Sequence, residues 1–494
     1  MSQESNMTRK SLGRNALYNI IYKVLSIIFP LISTAYVSRV LFADGIGRVN
    51  AVSNNVSYFL IFASLGIPTY GLREIAKRRD ETAKRDKLFC ELFSINALLT
   101  LFTYLVFNYL VFRSRIFAQE KTLYIIYGFT ILLNVFNVDW LFQALEEYGY
   151  IAIRSSIVKI MSLIALFLLV KNKNDIYIYA AIQVIATTGN YLFNIYTSKH
   201  LINWGFDDLE LKKHIKSLIY MALGGVSAEL YAKMDITMLD IYKGNNVVGY
   251  YTSSQKIINL IITALVAITS VFLPRLSYLF GKDKKEFSKV IEMGAGLMIT
   301  VSIPACVGLI FISKPLVVFY LGKTFSESAV TLAILSFMIP LKCIGDIVGY
   351  QVMICAKKEE FLMKCYFGTM VINLINNLLL IPKYSAVGAS IASVISEFLT
   401  FIFVLSYSRK YFKLKGIGVI VNKTVFATFV MFIAMYGFSF VKANNVLKLL
   451  GDLLCALIAF ILSGIIMKHD VITFYVTFLK QKMKLFKYGG KNSE

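Results

Sequence analysis

Apolar residues along this chain come in runs of about twenty, the length a helix needs to cross the hydrocarbon core of a bilayer. The runs predict helices near 14–42, 49–68, 88–112, 122–145, 151–170, 176–197, 217–241, 247–273, 289–313, 329–355, 361–381, 386–407, 418–440 and 446–467. The polar links are short. The longest, 72–87, 198–216 and 274–288, are too small to form a soluble domain. The pattern therefore predicts an all-α integral membrane protein of about fourteen transmembrane helices, not the several soluble domains that 494 residues would otherwise suggest.

Charge in the links alternates. One set carries Arg9, Lys10 and Arg14, then Arg73, Lys77, Arg78, Arg79, Lys84, Arg85 and Lys87, then Lys199, Lys212, Lys213 and Lys216. It continues with Arg275, Lys282, Lys284, Lys285 and Lys289, then Lys357, Lys358, Arg409, Lys410, Lys413, Lys415 and a Lys-rich C-terminus. The other set has only scattered cations such as Arg48, Arg113, Arg115, Lys171, Lys173, Lys243 and Lys383. Lys and Arg gather on the cytoplasmic side, so the chain is expected in a bacterial plasma membrane with both termini in the cytoplasm. The first apolar run is longer than a signal-peptide core and reads as an uncleaved helix.

Composition agrees: 57% of residues are hydrophobic, 16% are charged, and the formal net charge is +23. In a soluble protein that charge would suggest nucleic acid. Here the cations sit in short links, so no nucleic-acid partner is expected. Cys90, Cys306, Cys343, Cys355, Cys365 and Cys455 form no C-x-x-C pair, and three histidines cannot complete a zinc set. They read as packing residues, with no metal and no cofactor. Gly322-Lys323-Thr324 resembles the end of a phosphate-binding loop, but Val317 stands where glycine is needed. With no catalytic motif and no large outward loop, the chain reads as a transporter, not an enzyme.

A constant offset of 202 positions aligns Gly47 with Gly249, Asn54 with Lys256 and Ser57 with Asn259. It lays a polar stripe (Asn50, Asn54, Ser57) over another (Thr252, Lys256, Asn259, Thr263), each on one helical face. Six helices separate the two, which predicts a parallel repeat about the membrane normal. The repeat divides the chain into lobes 1–200 and 201–415, with two further helices and a basic cytoplasmic tail at 416–494.

Ionisable groups inside the apolar runs need a partner, a wet cavity or a substrate. Lys23 shares a face with Asn15, Asn19 and Ser26, and Arg39 lies at the far end of the same helix. No acidic residue stands three or four positions from either in sequence. Each is read as snorkelling, as an interhelical ion pair, or as part of an anion site. Glu229 with Lys233, and Lys342 with Asp346, are spaced to pair along one helix. Asp235, Asp139 and Glu397 have no such local cation and are candidates, with Glu229 and Asp346, for proton or sodium coupling. The cations suit an anionic substrate, with phosphate as the obvious group.

Four stretches in combination resemble the polysaccharide flippases of the multidrug/oligosaccharidyl-lipid/polysaccharide exporter superfamily. They are Arg39-Val40-Leu41-Phe42 through Asp44-Gly45-Ile46-Gly47, and Ala63-Ser64-Leu65-Gly66-Ile67-Pro68 leading to Arg73-Glu74. The others are Lys233-Met234-Asp235-Ile236 through Val248-Gly249-Tyr250-Tyr251, and Ser313-Lys314-Pro315-Leu316 through Leu321-Gly322 to Ala333-Ile334-Leu335-Ser336. The resemblance implies two pseudo-symmetric six-helix lobes around a central cavity, plus two C-terminal helices. It also implies alternating access and a polyprenyl-diphosphate-linked oligosaccharide as cargo. Membrane lipids, a polysaccharide polymerase and glycosyltransferases would be its partners, and a proton or sodium gradient or the membrane potential its drive. Lys23, Arg39, Lys233 and Lys256, with Asn19, Asn54 and Asn259, would line the substrate path. A cation-coupled multidrug or metabolite antiporter is the alternative. It would favour acidic residues in the first lobe, where helix 1 carries cations instead.

The topology has a direct test. In a background lacking the six cysteines, Arg113→Cys is expected to label with an impermeant thiol reagent from outside and Lys77→Cys to stay unlabelled. Equal labelling of the two rejects this orientation.

Overall fold

A computed structural model describes residues 12–441, 444–474 and 477, with side chains from residue 27 onward apart from 223–228 and 445. The regular elements of the described chain are helical. They are α1 (Leu12–Ser64), α2 (Ile67–Lys77), α3 (Thr82–Arg113), α4 (Lys121–Leu133), α5 (Asp139–Ala144), α6 (Tyr148–Leu169), α7 (Ile176–Leu201), α8 (Lys212–Lys243) and α9 (Asn245–Thr269). After these come α10 (Leu273–Leu279), α11 (Lys284–Tyr320), α12 (Ser328–Leu335), α13 (Met338–Gly345), α14 (Gln351–Cys355), α15 (Glu359–Ser408), α16 (Ile417–Phe438) and α17 (Asn445–Ile466).

Among the described residues nine helical stretches are long and apolar enough to cross a membrane. Two of them are double crossings. At 53 residues, α1 would run about 80 Å if straight, far more than a bilayer holds. It is broken at Phe42 (φ 56°, ψ −175°), and α15 is broken at Ser385 (φ 59°, ψ −135°). With the α4–α5 stretch, α7 and α8, the described residues make fourteen crossings. The flanks confirm the medium: on α3, Leu98, Leu101, Phe102, Leu105, Tyr109 and Phe112 all face outward. Water would not tolerate so continuous an apolar belt. The chain is a multi-pass membrane protein.

The chain divides into two compact units, one through Gly249 and one from Tyr250. In the first, Ile67, Ile75, Phe89, Trp140, Leu141 and Phe142 form a buried cluster at the α2–α3–α5 end. Polar staples pin the link after α7 to it. Arg85 Nη2 donates to the Leu201 carbonyl at 2.8 Å, and Asp86 accepts from the Asn203 amide at 2.9 Å. Buried Glu91 pairs with His214 (2.8 Å) and with Lys213 (2.9 Å), and His214 Nδ1 lies 2.9 Å from the Tyr70 hydroxyl. Burial pushes the Lys213 ammonium down, but its bonds to Glu91 and Glu210 outweigh that and hold it above the ordinary lysine value. In the second unit α10, α11, the α13–α14 stretch and α15 share a core around Phe287, Ile291, Ile347, Val348 and Met353. The α16–α17 hairpin packs on α11.

The break at Phe42 has a counterpart. Between α8 and α9, Gly244 takes φ 80° and ψ −178°, and Phe42 and Gly244 are 202 positions apart. The same unusual backbone turn thus recurs at the repeat offset, once with glycine and once with phenylalanine. A side chain added at Gly244 would meet no atom within 4 Å, so only the backbone penalises one there. Gly244→Ala is therefore expected to destabilise the protein, and Phe42→Gly to stabilise it, by about 1–3 kcal/mol. Thermal unfolding in detergent checks this. Equal midpoints for both variants and the wild type contradict it.

Candidate functional site

The candidate residues are the polar and charged groups held inside the helical body. Lys23 and Asn19 lie outside the described side chains. Asn54 is buried on the second arm of α1, where its Nδ2 donates to Thr237 Oγ1 (2.8 Å) and to the Lys233 carbonyl (3.3 Å). Tyr58, one turn on, places its hydroxyl 2.8 Å from the same Thr237 oxygen. The polar stripe of α1 thus packs on α8. Lys233 sits on this contact, half-buried, with Nζ 2.8 Å from exposed Glu229 Oε2 along its own helix. Asp235 is buried two residues further on. Lys256 on α9 is half-buried and Asn259 exposed, while Arg39 is exposed.

One pairing read from spacing is corrected. Lys342 and Asp346 do not bond to each other. The helix widens into a π turn over Asp346–Tyr350. Asp346 instead accepts from Thr269 Oγ1 (2.6 Å) and Gln351 Nε2 (2.7 Å). Lys342 pairs with buried Glu397 of α15 at 3.1 Å. Spacing sees one helix only, whereas α15 supplies the closer carboxylate. Asp139 is a second case: it has no cation on its own helix, but Arg154 of α6 donates to its Oδ1 at 2.8 Å and Asn194 of α7 at 2.7 Å.

These geometries sort the coupling candidates. Asp139, Glu229 and Glu397 each face a cation 2.8–3.1 Å away, which already balances their charge. Both hydrogen-bond donors found for Asp346 among the described residues are neutral, so neither balances its charge as the cations beside the other three do.

Sequence reasoning misses Arg154, the most buried cation of the group. It is 4% exposed, and its guanidinium stands over the rings of Tyr150 and Phe142, 5.1 and 5.8 Å from their centroids. The available signal is a cation four residues into the predicted 151–170 run. Also missed is the Arg48–Glu120 pair (Nη2–Oε2 2.8 Å), which ties the second arm of α1 to the start of α4.

Fold and charges together define a multi-pass helical transporter-like body with ionisable groups held at depth. Residues 12–280 match the family described as polysaccharide biosynthesis protein, and the chain belongs to that family. A protein of Shigella dysenteriae described as an O-antigen transporter is 25% identical over 79% of this chain and 98% of its own length. The capsular polysaccharide biosynthesis protein CapF of Staphylococcus aureus is 23% identical over 81% and 100%. Among solved structures, the lipid II flippase MurJ in an inward closed conformation superposes with TM-score 0.76, at 16% identity over 92% of this chain and 100% of that one. A multidrug-resistance MATE family transporter gives TM-score 0.59 at 14% identity, over 80% and 97%. Both share the fold.

Arg154→Ala leaves Asp139 without its cation. Breaking a buried pair costs about 3–5 kcal/mol; because the Asp139 side chain is 34% exposed, the low end is expected. Protein abundance in the membrane should fall, and Asp139→Asn combined with Arg154→Met should recover part of it. Normal abundance of the single variant shows that the pair does not hold α5 to α6.

Proposed function

We propose that this chain is a flippase that moves polyprenyl-diphosphate-linked oligosaccharide repeat units from the inner to the outer leaflet of a bacterial plasma membrane. It would work by alternating access, with lobes 1–200 and 201–415 as the moving halves, 416–494 as an addition, and both termini in the cytoplasm. The product would feed capsule, O-antigen or exopolysaccharide synthesis, with glycosyltransferases upstream and a polymerase downstream. The observation that carries the reading is the nearly full-length match to a protein described as an O-antigen transporter, supported by the capsular relative.

The cargo's diphosphate explains why cations lie among apolar residues. Lys256 and Lys233, half-buried, and Arg39 would bind it along with Lys23, and exposed Asn259 would meet sugar hydroxyls, while Asn54 is engaged with Thr237 and the Lys233 carbonyl. A charge-assisted bond of this kind contributes about 1.5–3 kcal/mol. With the cell interior negative, moving anionic cargo outward gains about 2.3 kcal/mol per charge per 100 mV. A returning proton or sodium ion at Asp346 or Asp235 would add to this drive.

Deleting the gene in a strain without related exporters should abolish surface polymer and leave lipid-linked repeat units on the cytoplasmic leaflet. Normal polymer together with greater sensitivity to cationic drugs would move the chain to the antiporter class. Lys256→Ala and Lys23→Ala are each expected to cut export tenfold or more, since about 1.4 kcal/mol is a factor of ten, while the protein still accumulates. Lys23→Arg should retain part of it because the charge is kept. Full export by both alanine variants at normal abundance removes the lysines from the diphosphate site.

A further inference from the structure

The repeat offset meets itself in space where the two arms begin. An ideal Cβ built on Gly47 would fall 1.7 Å from the carbonyl oxygen of Asn245 and 3.0 Å from the Gly249 nitrogen. One built on Gly249 would fall 2.1 Å from the carbonyl oxygen of Ala43. Ala43 and Asn245 are themselves 202 positions apart, as are Gly47 and Gly249, and each pair begins just after the matching turns at Phe42 and Gly244. The contact is thus reciprocal. The first carbonyl of each arm rests on the glycine one helical turn into the other, and exchanging the two arms reproduces it.

Backbone against backbone at this distance leaves room for hydrogen alone. Such packing relies on van der Waals fit and on weak contacts of Cα–H to carbonyl oxygen, which recur between close helices. It is lost as soon as the arms part by a fraction of a side chain. Toward the membrane interior the same arm of α1 continues against α8 through Asn54, Tyr58 and Thr237.

We infer that the Gly47–Asn245 and Gly249–Ala43 contacts form the outer seal of the transport cycle, made in the state seen here and broken when the path opens outward. The inference rests on the transporter reading above, which gives the seal its purpose, and on the orientation that puts these turns outside. Glycine is required at both positions for closure, and the two positions are equivalent.

The test reads accessibility, which does not depend on the cargo. Ser57 lies ten residues beyond Gly47, about 15 Å deeper along the same helix. With the native cysteines removed, Ser57→Cys should label slowly with an impermeant maleimide from outside. Adding Gly47→Val or Gly249→Val should raise that labelling about tenfold, the population shift that one overpacked side chain produces, and should do so alike for both glycines. Gly418→Val, where an added Cβ meets nothing within 4 Å, serves as control and should leave labelling unchanged. If the valine variants fail to accumulate, Gly47→Ala and Gly249→Ala carry the same test, because their methyl groups already meet the two carbonyls. Unchanged labelling in accumulated glycine variants overturns the seal. Raised labelling supports it, whether or not polysaccharide export proves to be the function.

Discussion

Inside a bilayer the backbone has no water to bond to, and that constraint orders everything else in this molecule. Each crossing must satisfy its own N–H and C=O groups, hence regular elements that are all helical among the described residues. Large apolar side chains on α3 can face outward without cost because lipid tails are as apolar as they are. For the same reason, burying leucine between helices adds little. What holds the helices together is close packing and polar contact. The two arms of α15 illustrate this: buried Thr369, Asn373, Asn377, Ser390, Ser396 and Thr400 are all small or polar, and Thr400 Oγ1 donates to Thr369 Oγ1 at 3.0 Å. Removing water also makes a lone charge expensive, so carboxylates at depth draw cations from other helices, as Asp139 does from α6 and Lys342 does for Glu397 on α15.

That requirement decides how much of the molecule is visible in its sequence. The crossings are legible because an apolar run of the right length admits few other interpretations in a chain so poor in charge. Even the double-length helices are resolved correctly, since bilayer thickness forbids a straight 53-residue span. Partnerships between charges are much less legible. Glu229 and Lys233 meet because one helix carries both. Asp139 and Arg154 are separated by a turn and a change of helix, and no local periodicity connects them. Lys342 and Asp346 have the right spacing, yet a π turn and an approaching Glu397 redirect both. Spacing along one helix predicts only what that helix decides, and at membrane depth the neighbouring helix often decides instead.

The internal repeat shows the same division between backbone and side chain. In sequence it rests on little more than Gly47 and Gly249. In structure it appears as backbone: the positive-φ turns at Phe42 and Gly244, and the reciprocal approach of glycine to carbonyl. Phenylalanine at 42 conceals the equivalence from any residue-by-residue comparison, because the conformation it shares with Gly244 is one that phenylalanine rarely adopts. The geometry of the two arms has to match for them to fit each other, whereas their side chains deeper in the membrane have no such obligation.

Those deeper positions differ accordingly. At the aligned pair, the first arm carries Asn54, buried and bonded to Thr237, and the second carries Lys256, half-buried. A neutral amide already engaged in packing α1 onto α8 has few bonds left to give a passing substrate. An ammonium on the corresponding face retains a long-range field whatever its immediate contacts, because charge falls off slowly where water is scarce. A repeated frame can in this way carry unlike faces: the backbone of the two turns is matched, and the side chains along the two stripes are not.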